Sequence, residues 1–153
     1  TLVNYTFHTI AEEQGISFEE LHRKASEDES WDRYLDKRQV EMAASGDTVL
    51  GSRLAVWLVD DADLTVYLEG SPDVRARRIQ KREGGRFEDV LAKMHERDRN
   101  DRERYLALYG IDNNEYRFVD LIVDTNDRGP EAVAEVILNA ARARGIGRVG
   151  ETP

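Results

Sequence analysis

Arg97, Asp101 and Arg104 follow one another at spacings of four and three residues, and Val90, Met94 and Leu108 continue the same series. At about 100° per residue, these six positions fall within roughly 40° of one line along a helix. A helix that only packs keeps its charges opposite its apolar stripe. Here two guanidinium groups and a carboxylate interrupt the stripe itself. Guanidinium forks phosphate oxygens and carboxylate accepts from hydroxyls, so the trio suits a ligand carrying both phosphate and hydroxyl groups. The competing reading is an ordinary solvated run from Glu96 to Arg104 laced by i,i+4 ion pairs, and periodicity alone weighs the two evenly.

The wider distribution of charge shifts that balance. The net charge is −9, which opposes general affinity for nucleic acid or an anionic membrane. Yet Arg75, Arg77, Arg78, Lys81, Arg82 and Arg86 cluster just before the Arg97–Arg104 segment, while acids dominate elsewhere. An anionic small molecule in a locally basic pocket is compatible with that pattern. The chain has no cysteine, which excludes disulfides, thiolate zinc sites and cysteine nucleophiles. His8, His22 and His95 are scattered without ligand spacing, so no metal site is expected. Asp60, Asp61 and Asp63 read as a loop. No apolar run of ~18 residues and no signal-peptide core occur, so a soluble, cytoplasmic protein is expected.

The elements that must position these charges can be read from caps and periodicity. Phe7 to Glu13 reads as a helix closed by Gly15, and Ser17 with Glu20 opens a second to about Ala25. Ser30 opens a third, ended by Gly46. Asp47–Leu50 reads as a short buried strand, Leu54–Val59 as one helical turn and Leu64–Leu68 as a second strand. Ser71-Pro72 starts the next helix, Gly84-Gly85 breaks it, and the long helix follows. Phe118–Val123 is a third strand ending in Asp124–Asp127, and Pro130 begins the last helix. Trp31 and Trp57 are expected in the core, Arg75 and Arg77 on a solvated helix face, and Asp112–Glu115 in a turn. Alternating strands and helices predict an α/β fold with a parallel sheet flanked by helices. At 153 residues and 40% hydrophobic content, one domain over 1–144 is expected, with a flexible tail over 145–153.

Five segments taken together resemble a known family. They are Leu35-Asp36-Lys37-Arg38-Gln39, Val49 through Trp57 with Gly51-Ser52-Arg53, Arg78-Ile79-Gln80-Lys81-Arg82-Glu83-Gly84, Glu96 through Arg104, and Tyr109-Gly110-Ile111-Asp112. In this order they resemble the cytidylate kinases, P-loop nucleoside monophosphate kinases of the short type common in archaea. The resemblance runs from about Asn4 to Ala140. It implies phosphoryl transfer from ATP to CMP, with dCMP as a second acceptor, magnesium bridging the phosphates, and a monomeric enzyme with no nucleic-acid or membrane partner. It assigns Arg53 to the acceptor nucleotide, Arg97 and Asp101 to its sugar and Arg104 to its phosphate. Asp36, Arg38 and Gln39 lie on an acceptor-binding helical insert over 15–46. Arg78 and Arg82 lie on a lid over about 76–88, directed at the transferring group, and Thr125 and Asn126 lie where adenine rests.

The resemblance also marks departures. No Gly-Lys pair occurs in these residues, so the phosphate-cradling Gly-x-x-x-x-Gly-Lys-(Ser/Thr) loop is not among them. The first strand and that loop are therefore expected to be missing from this chain, which predicts impaired or absent turnover for the 153 residues alone. His8 stands where the family usually has an arginine on phosphate, and Gly51 where an acidic residue commonly precedes Ser-Arg. The alternatives are a non-catalytic nucleotide-binding or interaction module derived from such a kinase, and a kinase for another monophosphate such as UMP or AMP.

Overall fold

In the computed structural model, which describes residues 1–147, most of the longer helices begin where a side chain or a proline relieves their unpaired amides. The chain divides into two compact units, Thr1–Asp60 and Asp61 onward.

In the first unit, the Thr6 hydroxyl accepts from the Thr9 amide and the Thr9 hydroxyl accepts from the Thr6 amide, a reciprocal cap opening α1 (Phe7–Gln14). Gly15 ends it at φ 65°, a left-handed conformation in which a side chain would be strained. Ser17 caps α2 (Phe18–Glu27) by accepting from the Glu20 amide, and α3 (Ser30–Ala43) follows, with Asp28 accepting from the Ser30 amide. Tyr5, Ile10, Ala11 and Leu21 form the core of this unit, and Phe7, Ile16, Trp31 and Leu35 pack against it. β1 (Leu2–Val3) pairs in parallel with β2 (Val49–Leu50), and α4 (Ala55–Leu58) comes last.

The second unit is built on β3 (Val66–Glu69) and β4 (Leu121–Asp124), parallel and in register from Val66 opposite Leu121 to Glu69 opposite Asp124. Parallel neighbours need a crossover, supplied here by α5 (Pro72–Glu83) and α6 (Phe87–Tyr109). Ser71 caps α5 with Pro72 in its first turn, and Gly84 and Gly85, both at positive φ, separate the two helices. α7 (Pro130–Ala143) follows β4. Asp120 fastens the amino-terminal end of the strand pair. Its carboxylate accepts from the Thr65 amide and hydroxyl, both at 2.8 Å, and from Arg144 at 2.8 Å.

The fold is α/β with parallel strand pairs flanked by helices. Three expectations are corrected. Three strands in one sheet were expected; among the described residues there are four, paired two by two, because β1 has only two residues and no periodicity to betray it. The strand at Val49 is not buried: Val49 and Leu2 are 68% and 69% exposed, while Val3 points inward. The strand expected from Phe118 starts only at Leu121, with Phe118 itself exposed. The expected tail over 145–153 lies, from residue 148, outside the described residues.

Candidate functional site

Ligands of open parallel sheets bind beyond the carboxyl ends of the strands. In the second unit, those ends carry Glu69-Gly70-Ser71 after β3 and Thr125-Asn126 after β4. The two turns are stitched together. The Thr125 amide and hydroxyl donate to the Glu69 carbonyl at 2.8 and 2.9 Å, and the Asn126 side-chain oxygen accepts from the Ser71 amide at 2.8 Å. Arg78 on α5 donates to the Thr125 hydroxyl at 2.8 Å, to the Thr125 carbonyl, and to the Arg128 carbonyl at 3.4 Å. Thr125 is buried, and its hydroxyl both donates and accepts within the protein. Gly70 leaves room for this arrangement: a Cβ there would lie 3.2 Å from the Thr125 hydroxyl oxygen and 3.4 Å from Arg75 Cγ.

On α6, the charged positions read from the sequence sit between buried ends. Met94 and Leu108 are buried. Between them, the Asp101 side chain is only 14% exposed, and an Asp101 oxygen lies 3.7 Å from an Arg104 nitrogen. The Arg104 guanidinium also stands 5.7 Å from the centre of the Tyr105 ring. Arg97 is exposed and lines a cavity of about 440 Å³ together with Ile79, Val90, Lys93, Met94 and the Gly84–Arg86 turn. The stripe is therefore amphipathic along its length rather than around the helix, apolar at its ends and charged in the middle.

The lid expected over 76–88 covers the second half of α5, the glycine turn and the start of α6. Arg82 stands exposed near the end of α5 and bonds to neighbouring Glu83 at 2.5 and 3.1 Å. Arg78 lies farther back, held by the loop after β4. Arg75 is half-exposed rather than fully solvated, and it forks Asp98 on α6 at 2.8 and 2.9 Å. Arg77 is exposed but lies 4.8 Å over the Phe87 ring.

Tyr67 on β3 and Tyr116 stack with ring centres 3.7 Å apart, and the Tyr116 hydroxyl donates to the Glu69 carboxylate. Burial pushes the Tyr67 hydroxyl pKa up, opposed by the charge of Arg75. The hydrogen bond to Glu69 raises that of Tyr116, and burial adds to it. Asp112 closes the turn after α6. Arg102 forks its carboxylate and the Asn114 amide donates to it, which together lower its pKa to about 2.

The first unit presents its own candidates. Arg53 is exposed in the bend between β2 and α4, where the Ser52 hydroxyl accepts from the Leu54 amide. Asp36 is half-buried on α3. Arg38 bonds to Glu41 at 3.0 Å with its guanidinium 5.9 Å from the Tyr5 ring centre. Gln39 is buried and donates to the Tyr5 carbonyl at 2.7 Å, so its amide spans from α3 to the segment before α1. Burial raises the Tyr5 hydroxyl pKa, and its hydrogen bond to Glu13 at 2.5 Å adds to this. His8 is exposed and stacks on Phe18 at 3.9 Å.

Sequence reading missed the Arg75–Asp98 fork, the Gly70 contact and the tyrosine stack. All three join residues distant in sequence. The one available signal was α5 itself, whose few apolar residues (Val74, Ala76 and Ile79) leave arginine stems to complete its inner face.

Comparison with known proteins adds a separate line. The profile of the cytidylate kinase-like family matches residues 3–127. The chain is 44% identical over 148 residues to cytidylate kinase 2 of Borreliella afzelii, spanning 94% of this chain and 83% of that protein. It is 42% identical over 131 residues to the cytidylate kinase of Pyrococcus horikoshii, spanning 86% and 68% of the two chains. The cytidylate kinase of Pyrococcus abyssi is 43% identical over 131 residues, spanning 86% and 72%.

Proposed function

The chain belongs to the cytidylate kinase-like family, and on that premise we propose that it transfers the γ-phosphoryl group of ATP to CMP, and to dCMP as a second acceptor, releasing ADP. The observation that carries this reading is the charged middle of α6, where a little-exposed carboxylate lies beside an arginine between two buried apolar ends.

Such a transfer spreads negative charge over the equatorial oxygens of the moving group, and catalysis is mostly positioning plus cationic stabilisation. Arginine keeps its proton at working pH and forks phosphate, which favours a site rich in arginine and poor in histidine. In this reading Asp101 accepts from a sugar hydroxyl and Arg97 donates beside it, while Arg104 holds the acceptor phosphate. Arg82 meets the transferring group from the end of α5. Arg53, Asp36 and Arg38 contact the acceptor, Gln39 supports them, and His8 supplies a ring N–H donor. The loop at Thr125 and Asn126 receives the adenine. Because the Thr125 side chain, amide and carbonyl are engaged internally, the loop's contribution falls to Asn126. Arg78 is assigned to this loop and reaches the reaction through it.

Magnesium brought in with ATP would supply neutralising charge at the nucleotide's phosphates. Among the described residues, no group of three or more acidic or histidine side chains is gathered to hold a metal. No helix among the described residues is long and apolar enough to cross a membrane.

The test is turnover with ATP by the enzyme expressed from its complete reading frame, offered CMP, dCMP, UMP and AMP in parallel. CMP is expected to give the highest kcat/KM. Preference for another acceptor overturns the substrate assignment, and absence of transfer to all four overturns the activity.

A further inference from the structure

Arg75 on α5 and Asp98 on α6 meet as two planar groups, nitrogen to oxygen, at 2.8 and 2.9 Å. We infer that this fork is a positioning pair that sets the rotation of α6, and therefore the placement of Arg97 and Asp101, relative to α5. The inference rests on the functional reading above, in which those two residues meet the acceptor.

Magnitude argues first. Both side chains remain more than a third exposed. An ion pair at that exposure adds little to stability, so holding the fold together is a poor account of it. A bidentate fork does something a single contact does not, because it fixes the relative orientation of the two groups. Asp98 follows Arg97 directly and precedes Asp101 by three residues, so turning α6 at Asp98 turns both neighbours with it.

α6 is seated by its own buried Met94, Tyr105 and Leu108, and the fork adds an orientation-specific contact with α5. α5 contributes Val74, Ala76 and Ile79 as its apolar groups, and of these Ala76 is fully buried. The other end of the fork is anchored: the Arg75 stem lies against Gly70, which itself abuts Thr125. One turn along α5, Arg78 holds Thr125 and the Arg128 carbonyl. The same helix thus indexes α6 through Arg75 and the loop after β4 through Arg78.

The experiment compares Arg75→Lys, which keeps the charge and loses the fork, and Asp98→Asn, which keeps the shape and loses the charge, with the wild type. Each is assayed for kcat and for the KM of ATP and of the monophosphate that the wild type prefers among CMP, dCMP, UMP and AMP. Misplacing a positioning group by about 1 Å can cost up to about 100-fold, so a rise of roughly tenfold or more in the acceptor KM and a fall in kcat are expected. The ATP KM should hold within about twofold and the melting temperature within about 3 °C, as for a weak exposed pair. A lower melting temperature with unchanged kinetic constants overturns the inference, as does an equal rise in both KM values. A wild type that prefers a monophosphate other than CMP overturns the substrate assignment alone, and one inert toward all four overturns both.

Discussion

Arg78 grips Thr125 at two points, one guanidinium nitrogen donating to its hydroxyl at 2.8 Å and another to its carbonyl. An arginine that the resemblance directs at a transferring phosphoryl group is therefore built into the support of the loop after β4. Arg78→Ala should loosen that loop and raise the KM for ATP more than that for CMP. The lost charged hydrogen bonds, discounted for solvent exposure, should cost about 1 kcal/mol. Denaturant unfolding together with separate KM measurements checks both parts, and a fall in kcat at unchanged ATP KM would restore Arg78 to the chemistry itself.

Gly70 is a steric requirement. Gly70→Ala places a Cβ 3.2 Å from the Thr125 hydroxyl oxygen, which is pinned by Arg78 and Glu69, and 3.4 Å from the more pliable Arg75 stem. Overpacking of this kind costs about 1–3 kcal/mol. Thermal unfolding should show the loss, and Gly70→Ala with an unchanged melting temperature would mean that Arg75 moves aside freely.

Arg97→Ala and Asp101→Asn should each weaken CMP binding by about 1.5–3 kcal/mol, the scale for hydrogen bonds to charged groups. Arg97 is exposed, so its removal should leave the melting temperature nearly unchanged. Titration calorimetry decides the matter. Undiminished CMP affinity with a lowered melting temperature would assign these charges to holding the helix.

Asp112 makes part of the stability dependent on pH. Its pKa falls from 3.8 to about 2 because Arg102 and the Asn114 amide bind the ionised form. A group depressed in the folded state stabilises above its unfolded pKa, and that contribution disappears as pH falls through the folded value. Asp112→Asn should therefore be less stable than the wild type at neutral pH, with the gap closing between about pH 4 and pH 2. Unfolding free energies measured across that range check the sign, and a gap that persists undiminished at pH 2 would point to a cause other than ionisation.

Local signals carried most of the element boundaries. Gly15, Ser17, Ser71-Pro72 and Gly84-Gly85 stop or start helices through their own backbone and side-chain chemistry, so neighbouring residues suffice to read them. The strands were less legible. β1 has two residues, too few for alternation to register, and Phe118 imitates a strand start while the ladder begins three residues later, beyond Asp120. At the candidate site, the charged stripe on α6 was readable because it breaks a helical pattern. Its partner Arg75 was not, since the contact with Asp98 spans 23 residues and depends on how two helices meet. Arg78 was recognised as important but not as a support, because its acceptors are a loop hydroxyl and carbonyls 47 to 50 residues away.

The Thr65–Asp120 fastening joins positions 55 residues apart. During synthesis at roughly 5–20 residues per second, β3 waits about 3–11 s for β4 to be made. Over that interval its ladder edge is open to mispairing, a window in which a chaperone, or a pause by the ribosome, would govern how much nascent chain reaches the native state.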